Sequence, residues 1–303
     1  ANVSSIYDFV EYTWTPGASM NFDSSQVDEL TIPISWQDVN PTAPSNTSVN
    51  TPMYGAKPNA LTDAATDLNS LASPWPSLVA PIGGITRALN PQDAVNNGAV
   101  NFDAGGGNTF WDNTVNSIWS AYPAGGMAYL PISYNSGLYV GYGQATGTTM
   151  NFYAAPSTSA TLEASISKPT TADVWGTAGN LAPGGASTLT LELGRALGVS
   201  ILRGTLPAAS PASTPTQPRC APSDWQNFYG GSQTNGGETL VSSLSGSVDW
   251  FAAEMHKYAY APTAGINGLA YGFADDDECN IFVSDLGIPY LAGNQMNLTL
   301  NPF

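Results

Sequence analysis

Positive charge is scarce in this sequence, which has 7 Lys and Arg residues against 23 Asp and Glu residues among 303 positions. The net charge is −16, and only 10% of the residues are charged. Proteins that bind a phosphate backbone or an anionic membrane surface rely on clustered Lys and Arg. We therefore expect neither nucleic acid nor a membrane as a partner, whereas a neutral partner such as an uncharged polysaccharide is compatible with this surface.

Histidine is almost absent, and His256 is the one copy. A Ser-His-Asp or Cys-His catalytic arrangement would have to use this residue, yet its apolar neighbours in an apparent helix favour a core or surface histidine. No HExxH motif, P-loop or GxGxxG motif followed by a helix occurs in the sequence. We expect no metal and no cofactor.

Cysteine is limited to Cys220 and Cys279, each in a loop-like segment. Two thiols alone cannot form the usual four-ligand zinc site. We expect the two residues to form one disulfide in an oxidising compartment, with two unrelated buried thiols as the alternative.

Long apolar runs are also missing, because no stretch of 18 such residues occurs and no transmembrane helix is predicted. The chain starts at Ala1 without a visible signal peptide, as a processed protein would. Asn-X-Ser/Thr sequons make Asn2, Asn46 and Asn297 candidates for glycosylation. Together these features predict a secreted glycoprotein that is extracellular or associated with a cell wall.

Gly (31 residues) and Pro (23 residues) are abundant instead, as expected for many short strands joined by turns. Alternating apolar residues predict strands in 6–36, 126–175 and 268–303. Helical spacing predicts helices in 60–72, 109–122, 187–203 and 247–260. Since strands and helices do not alternate regularly, the order predicts a mainly β protein with α excursions (α+β) rather than a doubly wound fold.

We expect one unit that spans residues 1–303. Its β-sandwich would be formed by about 1–50, 124–186 and 262–303, with helical or loop excursions at about 51–123 and 187–261. The aromatic residues of the second helix, such as Trp111, are better explained as core than as a platform for sugar rings. Thr109 or Asn108 is expected to cap this helix.

Two acids, Glu11 and Asp28, lie in strand-like runs that otherwise favour uncharged residues. Hydrolysis of a glycosidic bond needs two carboxyl groups, one protonated and one ionised. On extended strands, Glu11 would share a face with Thr13 and Thr15, and Asp28 with Gln26. A turn between the strands could bring the two acids opposite each other. The alternative is two strand-end acids on a solvated face.

Residues 8–34 (DFVEYTWTPGASMNFDSSQVDELTIPI) resemble the signature of glycoside hydrolase family 64 and are similar to the plant thaumatin-like pattern. The resemblance continues in order through a Trp-containing strand, an aromatic helix, a Lys-Pro-Thr motif and a helix followed by a Tyr-Gly-Phe strand, at 73–91, 110–122, 168–179 and 249–277. It implies an inverting, endo-acting, laminaripentaose-type β-1,3-glucanase. The implied fold is a thaumatin-like β-sandwich or barrel with a wide groove beside a helical, loop-rich part.

The same resemblance assigns roles to individual residues. Glu11 falls on the general acid of the family and Asp28 on its general base, while Thr13 falls on a sugar-contacting position. Further candidates for substrate binding are Thr15, Gln26 and Asp23. The implied partner is a β-1,3-glucan such as laminarin or curdlan, bound by a monomer. Burial among aromatic residues would raise the pKa of Glu11.

Other interpretations stay open at this point. A thaumatin-like protein could bind glucan or act against fungi without turnover, or serve a structural or defence role without a saccharide groove. Calcium binding at residues 275–277 is disfavoured, because three adjacent acids cannot all reach one ion. Lys168 and Asp173 could contact substrate, but a structural role is favoured.

Overall fold

The computed structural model describes residues 5–14, 19–25, 28–39, 53–96, 109–122, 126–204, 206, 248–260, 288–289 and 295–301. The chain divides into two compact units. The first contains residues 1–104, 250–276 and 280–303, and the second contains residues 105–249 with 277–279. That the whole chain acts as one thaumatin-like unit stays a prediction.

Short antiparallel strands build the first unit. Strand β1 (Phe9–Trp14) pairs with β2 (Ser19–Ser25), which also pairs with β11 (Ile288–Pro289). A second sheet has the strand order β12 (Gln295–Leu300), β4 (Ile34–Val39) and β5 (Tyr54–Gly55). A two-stranded ladder joins β3 (Glu29–Leu30) to β6 (Ala88–Leu89).

This second sheet and two helices contribute buried side chains to the core of the first unit. Trp36 of β4 stacks on Tyr54 of β5, with ring centroids 4.6 Å apart. Helix α1 (Ala60–Ser70) buries Leu61 and Leu68 and contacts the helix Trp250–Tyr258, which is α6 in chain order. A 3₁₀ turn (Trp75–Leu78) and the short helix α2 (Pro91–Asn96) complete the described elements of this unit.

A four-stranded antiparallel meander builds the second unit. Its strands are β7 (Ala128–Tyr134), β8 (Gly137–Thr146), β9 (Thr149–Tyr153) and β10 (Leu162–Ser167), hydrogen-bonded in chain order. Met150 and Phe152 alternate with more exposed residues in β9, so one face of the sheet is buried. Helix α5 (Thr188–Arg203) packs against β7 and β10.

Two further helices of the second unit are joined at their starts. Helix α3 (Asp112–Ala121) precedes the meander and α4 (Thr171–Gly176) follows it. The N–H of Trp111 donates to Oγ1 of Thr171 at 2.9 Å, and the Thr171 hydroxyl donates to Asp112 at 2.9 Å. Thr170 and Asp173 form a capping box on α4, which satisfies its first backbone N–H groups.

The four predicted helices are confirmed as α1, α3, α5 and α6, and the strands predicted in 126–175 are confirmed as β7–β10. Trp111 and Trp119 are buried, which confirms the core role of the aromatic helix. The observed class is a mixture of α and β with several antiparallel sheets, and the described strands form no closed barrel. None of the described helices has the length and apolar character needed to cross a membrane.

Two local predictions are wrong. The strand expected around Trp75 is a 3₁₀ turn, because Pro74 and Pro76 flank the tryptophan and a proline cannot donate to a strand ladder. Thr109 does not cap α3, since the N-cap position belongs to Trp111, which makes no side-chain cap. Asn108, the other candidate, lies outside the described residues.

Candidate active site

Asp28 is fixed at the junction between a strand ladder and a helix. It lies in a bend directly before β3, whose partner residues Leu89 and Ala88 belong to β6. One step beyond this ladder, the N–H of Asn90 donates to the Asp28 carbonyl at 2.8 Å. The backbone of Asp28 is therefore held from the opposite strand, at the point where the chain enters α2.

Two side chains act on the carboxylate of half-buried Asp28. The hydroxyl of Tyr7 donates to Oδ2 of Asp28 at 2.7 Å. The carboxyl of Asp93, on α2, lies near the same carboxylate and interacts with it electrostatically. Tyr7 precedes β1 and Asp93 follows β6, so segments far apart in sequence fix this one acid.

The pKa of Asp93 is raised to about 7, first by burial and then by its hydrogen bond to Asp28. Two carboxylates so close repel each other, and the pair is most stable when one carboxyl keeps its proton. Asp93 therefore keeps its proton at pH values below about 7.

Glu29, the residue that follows Asp28, forms a buried ion pair with Arg87. Glu29 is 2% exposed and Arg87 is 4% exposed, and Oε2 of Glu29 lies 3.0 Å from the Arg87 guanidinium. The other oxygen of Glu29 accepts from the Thr31 hydroxyl at 2.8 Å and from the N–H of Tyr7 at 3.2 Å. Arg87 also donates to the carbonyl of Ala80 at 2.8 Å. These bonds satisfy both charges and hold Tyr7 beside Asp28.

Asp8 provides a further brace for the same segment. Its carboxylate accepts hydrogen bonds from the backbone N–H groups of Thr31 and Ile32. Burial raises the pKa of Asp8 well above its usual range, against the effect of these two donors. Tyr7 and Asp8 are therefore both fixed against the chain around Asp28.

Comparison with known proteins assigns the chain to a family. A profile of the family described as Beta-1,3-glucanase, glycoside hydrolase family 64, matches residues 1–281. The chain belongs to this family. It is therefore a glycoside hydrolase of the β-1,3-glucanase family.

Solved structures support the fold of this glucanase. A laminaripentaose-producing β-1,3-glucanase in complex with laminaritetraose aligns with a TM-score of 0.63 and 19% identity, over 97% of this chain and 67% of that one. A β-1,3-glucanase domain from Clostridium beijerinckii aligns with a TM-score of 0.59 and 18% identity, over 99% of this chain and 65% of that one. The chain thus spans about two thirds of the length of these proteins. A search of curated protein sequences gave no match.

The backbone of this glucanase places Asp23, rather than Asp28, opposite Glu11. Strands β1 and β2 are antiparallel, and their register pairs Glu11 with Asp23 and Thr13 with Asn21. The sequence predicted that Asp28 lies inside a strand, and this prediction is wrong. Asp28 lies in the bend after β2 because the chain leaves that sheet at Ser25 and pairs next with β6.

Several sequence-predicted site residues lie outside the described residues, namely Thr15, Gln26, Asn2, Asn46, Cys220, Cys279 and residues 275–277. The same holds for the side chains of Glu11, Thr13 and Asp23, whose backbones are described. The disulfide, the two sequons and the catalytic pair therefore stay predictions. Asn297 is exposed on β12, where a glycan has access.

Three residues outside this site make structural contacts, as favoured from the sequence. His256 is completely buried in α6. Asp173 completes the capping box of α4, in which its carboxylate accepts from the N–H of the N-cap residue Thr170 at 2.9 Å. Lys168 donates to Oδ1 of Asn116 at the edge of a polar cleft of about 630 Å³ in the second unit.

Sequence reasoning missed Asp93, Tyr7 and the Arg87–Glu29 ion pair. One signal was available in Asn90-Pro91-Gln92-Asp93, since Asn is a preferred N-cap, Pro suits the first helical position and acids favour the first turn. The side chain of Asn90 does accept from the N–H of Gln92 at 2.8 Å. The pattern could have predicted α2, but not its contact with Asp28.

Proposed function

We propose that this glucanase cleaves laminarin- or curdlan-type β-1,3-glucan within the chain by inversion, with Asp28 as general base and Glu11 as general acid. The observation that carries the proposal is the set of bonds around Asp28, whose backbone and carboxylate are both held in place. A carboxylate with a fixed orientation can polarise one water molecule towards the anomeric carbon.

The second carboxyl is assigned by the family resemblance. Glu11 lies on β1, in the same unit as Asp28. In an inverting enzyme the two carboxyl groups are about 6.5–9.5 Å apart, which leaves room for the attacking water. We propose that Glu11 protonates the leaving oxygen and that Thr13, Thr15, Gln26 and Asp23 contact the sugar chain.

Amide substitutions test the assignment, because they keep side-chain shape and remove the titrating group. Glu11→Gln and Asp28→Asn should each lower the release of reducing ends from laminarin by about 10²–10⁴-fold. Asp63→Asn is the matched control, since Asp63 is an exposed acid on α1 of the same unit. Near-ultraviolet circular dichroism should show unchanged packing in all three variants.

The register of β1 and β2 makes Asp23 an alternative candidate for the general base, and the test must include it. Asp23 is paired with Glu11, so Asp23→Asn should be measured beside Asp28→Asn. Loss of hydrolysis in Asp23→Asn with normal turnover in Asp28→Asn would move the general base to Asp23. If the wild-type chain released no reducing ends but was retained on insoluble curdlan, it would be a glucan-binding protein without turnover.

The remaining features of the proposal are the topology, the oligomeric state and the covalent modifications of the protein. We propose a thaumatin-like topology and a secreted monomer with a Cys220–Cys279 disulfide. Asn297 is the exposed glycosylation candidate among the described residues. Intact-mass measurement before and after reduction and alkylation would detect the disulfide, and gel filtration with light scattering would give the oligomeric state.

A further inference from the structure

One face of the four-stranded meander carries three tyrosines in a line. Tyr142 of β8 lies opposite both Tyr129 of β7 and Tyr153 of β9. Tyr153 lies opposite Leu162 of β10 on its other side. Directly paired residues share a face of a sheet, so these four side chains form one row across the meander, the tyrosine row. Adjacent strands are about 4.8 Å apart, which makes the row about 14 Å long.

The tyrosine row lies on the face of the sheet that points away from α5. Gly141 precedes Tyr142 in β8, and a Cβ at Gly141 would lie 2.6 Å from Cδ2 of Leu193 in α5. Neighbouring residues of a strand point to opposite faces, so Tyr142 and the rest of its row point to the outer face. The three tyrosines are half-buried and Leu162 is 52% exposed. The row is therefore accessible to a partner.

Contact between two rings orders the start of this row. The ring centroids of Tyr129 and Tyr142 are 4.9 Å apart, and the ring planes cross at 80°. This edge-to-face geometry is favourable for aromatic pairs. Side chains that are already ordered lose little conformational entropy when a ligand binds. A tyrosine also combines an apolar ring with a hydroxyl group, which suits the C–H face and the hydroxyl edge of a sugar ring.

Polar side chains form a second line beside the tyrosines. Gln144, Asn151 and Ser165 are directly paired across β8, β9 and β10, and we call them the amide row. The Ser165 hydroxyl donates to Oδ1 of Asn151 at 2.8 Å. Gln144 is 6% exposed, yet no described residue is hydrogen-bonded to its side chain. A buried amide without a partner is costly, and a hydroxyl group of a bound sugar would supply one.

The outer face is uncharged in a chain whose net charge is −16. Glu163 is the one charged residue of β7–β10, and its carboxylate accepts a hydrogen bond from Tyr139. Tyr139 is paired with the fully buried Ile132, on the α5 side of the sheet. A charged partner would be matched by charges of the opposite sign on the protein surface. The two rows carry none, so they suit an uncharged polymer.

We propose that the tyrosine row and the amide row form an auxiliary binding surface for a β-1,3-glucan chain. The rings pack against glucosyl residues, and the amides are hydrogen-bonded to sugar hydroxyl groups. Both rows belong to the second unit, whereas the proposed acids Glu11 and Asp28 belong to the first. The surface retains the polymer and takes no part in bond cleavage. The inference rests on the substrate class of the proposed function, but not on the assignment of its two acids.

The test measures binding of the full chain to insoluble curdlan at 4 °C, in a Glu11→Gln background that stops hydrolysis. Tyr142→Ala and Tyr153→Ala should each weaken the dissociation constant by about 5–10-fold, the usual effect of losing one aromatic anchor. Tyr134→Ala is the matched control and should bind as the unsubstituted chain does. Tyr134 is a half-buried tyrosine of β7 whose ring contacts Tyr139, on the α5 side.

Leu162→Ala keeps the test decisive if a tyrosine variant does not fold. Leu162 is 52% exposed at the end of the row, so its truncation should leave thermal unfolding unchanged. Its affinity for curdlan should still fall by about two- to threefold, because apolar contact area is lost. Near-ultraviolet circular dichroism identifies which tyrosine variants are folded. Unchanged affinity in Leu162→Ala and in every folded tyrosine variant would overturn the inference.

Turnover in the otherwise wild-type chain separates this surface from the catalytic site. Tyr142→Ala should lower the release of reducing ends from insoluble curdlan, because less enzyme is held on the polymer. Its kcat and KM for short soluble laminari-oligosaccharides should stay within about twofold of the wild type. A rise in KM for the oligosaccharides as large as the loss on curdlan would place the row in the catalytic site and overturn the auxiliary role.

The outcomes distinguish this inference from the proposed function. Normal hydrolysis by Glu11→Gln and Asp28→Asn would remove the proposed acids, while the curdlan affinities would still decide the role of the surface. Equal affinities of Tyr142→Ala and Tyr134→Ala would overturn the surface and leave the proposed function standing. Light scattering tests a second copy of the chain as the occupant. A dimer that dissociates in Tyr142→Ala with unchanged curdlan affinity would make the face a dimer interface, and the inference wrong.

Discussion

The hydroxyl of Tyr7 donates to Oδ2 of Asp28 at 2.7 Å, although 21 residues separate them in the chain. The bond joins the segment before β1 to the bend before β3. The position of Tyr7 is fixed by the buried Glu29, whose carboxylate accepts a hydrogen bond from the N–H of Tyr7. The position of the proposed base thus depends on residues that take no part in the chemistry.

Tyr7→Phe tests the first of these dependencies. It removes the hydroxyl donor but keeps the ring, so we expect kcat on laminarin to fall by about tenfold, the usual effect of losing one hydrogen bond to a charged group. Tyr134→Phe, on β7 of the second unit, is the control. Equal kcat in the two variants would show that the Tyr7 bond does not orient Asp28.

Arg87→Met tests the buried ion pair between Arg87 and Glu29. Removing the guanidinium leaves Glu29 buried without its charge partner, which should lower the free energy of unfolding by about 3–5 kcal/mol. Arg195→Met breaks a pair with Glu192 in which both residues are 25–30% exposed, and it should cost less than about 1 kcal/mol. Urea denaturation of both variants checks the difference, and similar losses would contradict the account.

Gly194→Ala tests the packing of α5 in the second unit. A Cβ at Gly194 would lie 1.7 Å from the backbone carbonyl oxygen of Leu181, which cannot move aside as a flexible side chain can. We expect a loss of about 3 kcal/mol in unfolding free energy. Gly184→Ala is the control, because no atom lies within 4 Å of its added Cβ. Thermal unfolding of the two variants is the measurement.

Glu254→Gln tests the effect of a buried acid on α6. Burial raises the pKa of Glu254 from 4.5 to about 7, an effect that Asp67 reinforces and Lys257 opposes. The folded state therefore holds a proton that the unfolded state has lost, so stability is present below about pH 4.5 and declines as the pH rises through 7. The glutamine variant, which carries no titrating proton at this position, should show a smaller decline. An unchanged slope of unfolding free energy against pH would refute this.

Sequence patterns were sufficient wherever one local rule decided the structure. Apolar spacing predicted α5 because Leu193, Leu197 and Ile201 repeat along one buried face. Alternation predicted β9 because its buried residues are two positions apart. In both elements the signal lies within one continuous stretch of sequence.

The site could be predicted only in part, because its contacts join distant segments. Glu11 and Asp28 were proposed from acids in strand-like runs and from the family resemblance. Nothing local indicates that Asp93 meets Asp28, since the contact requires β3 to pair with β6. The prediction of a strand at Asp28 was wrong for a related reason. The alternating apolar pattern continues from β2 to β3, but these two strands belong to different sheets.

The anomeric form of the first product tests the central claim most directly. Proton nuclear magnetic resonance can follow laminari-oligosaccharide hydrolysis by the wild-type chain before mutarotation equilibrates the new reducing ends. A water activated by Asp28 on the face opposite the leaving group should give α-anomeric ends first, and Asp28→Asn should give almost none. First products in the β form, or an undiminished α signal from Asp28→Asn, would contradict the account.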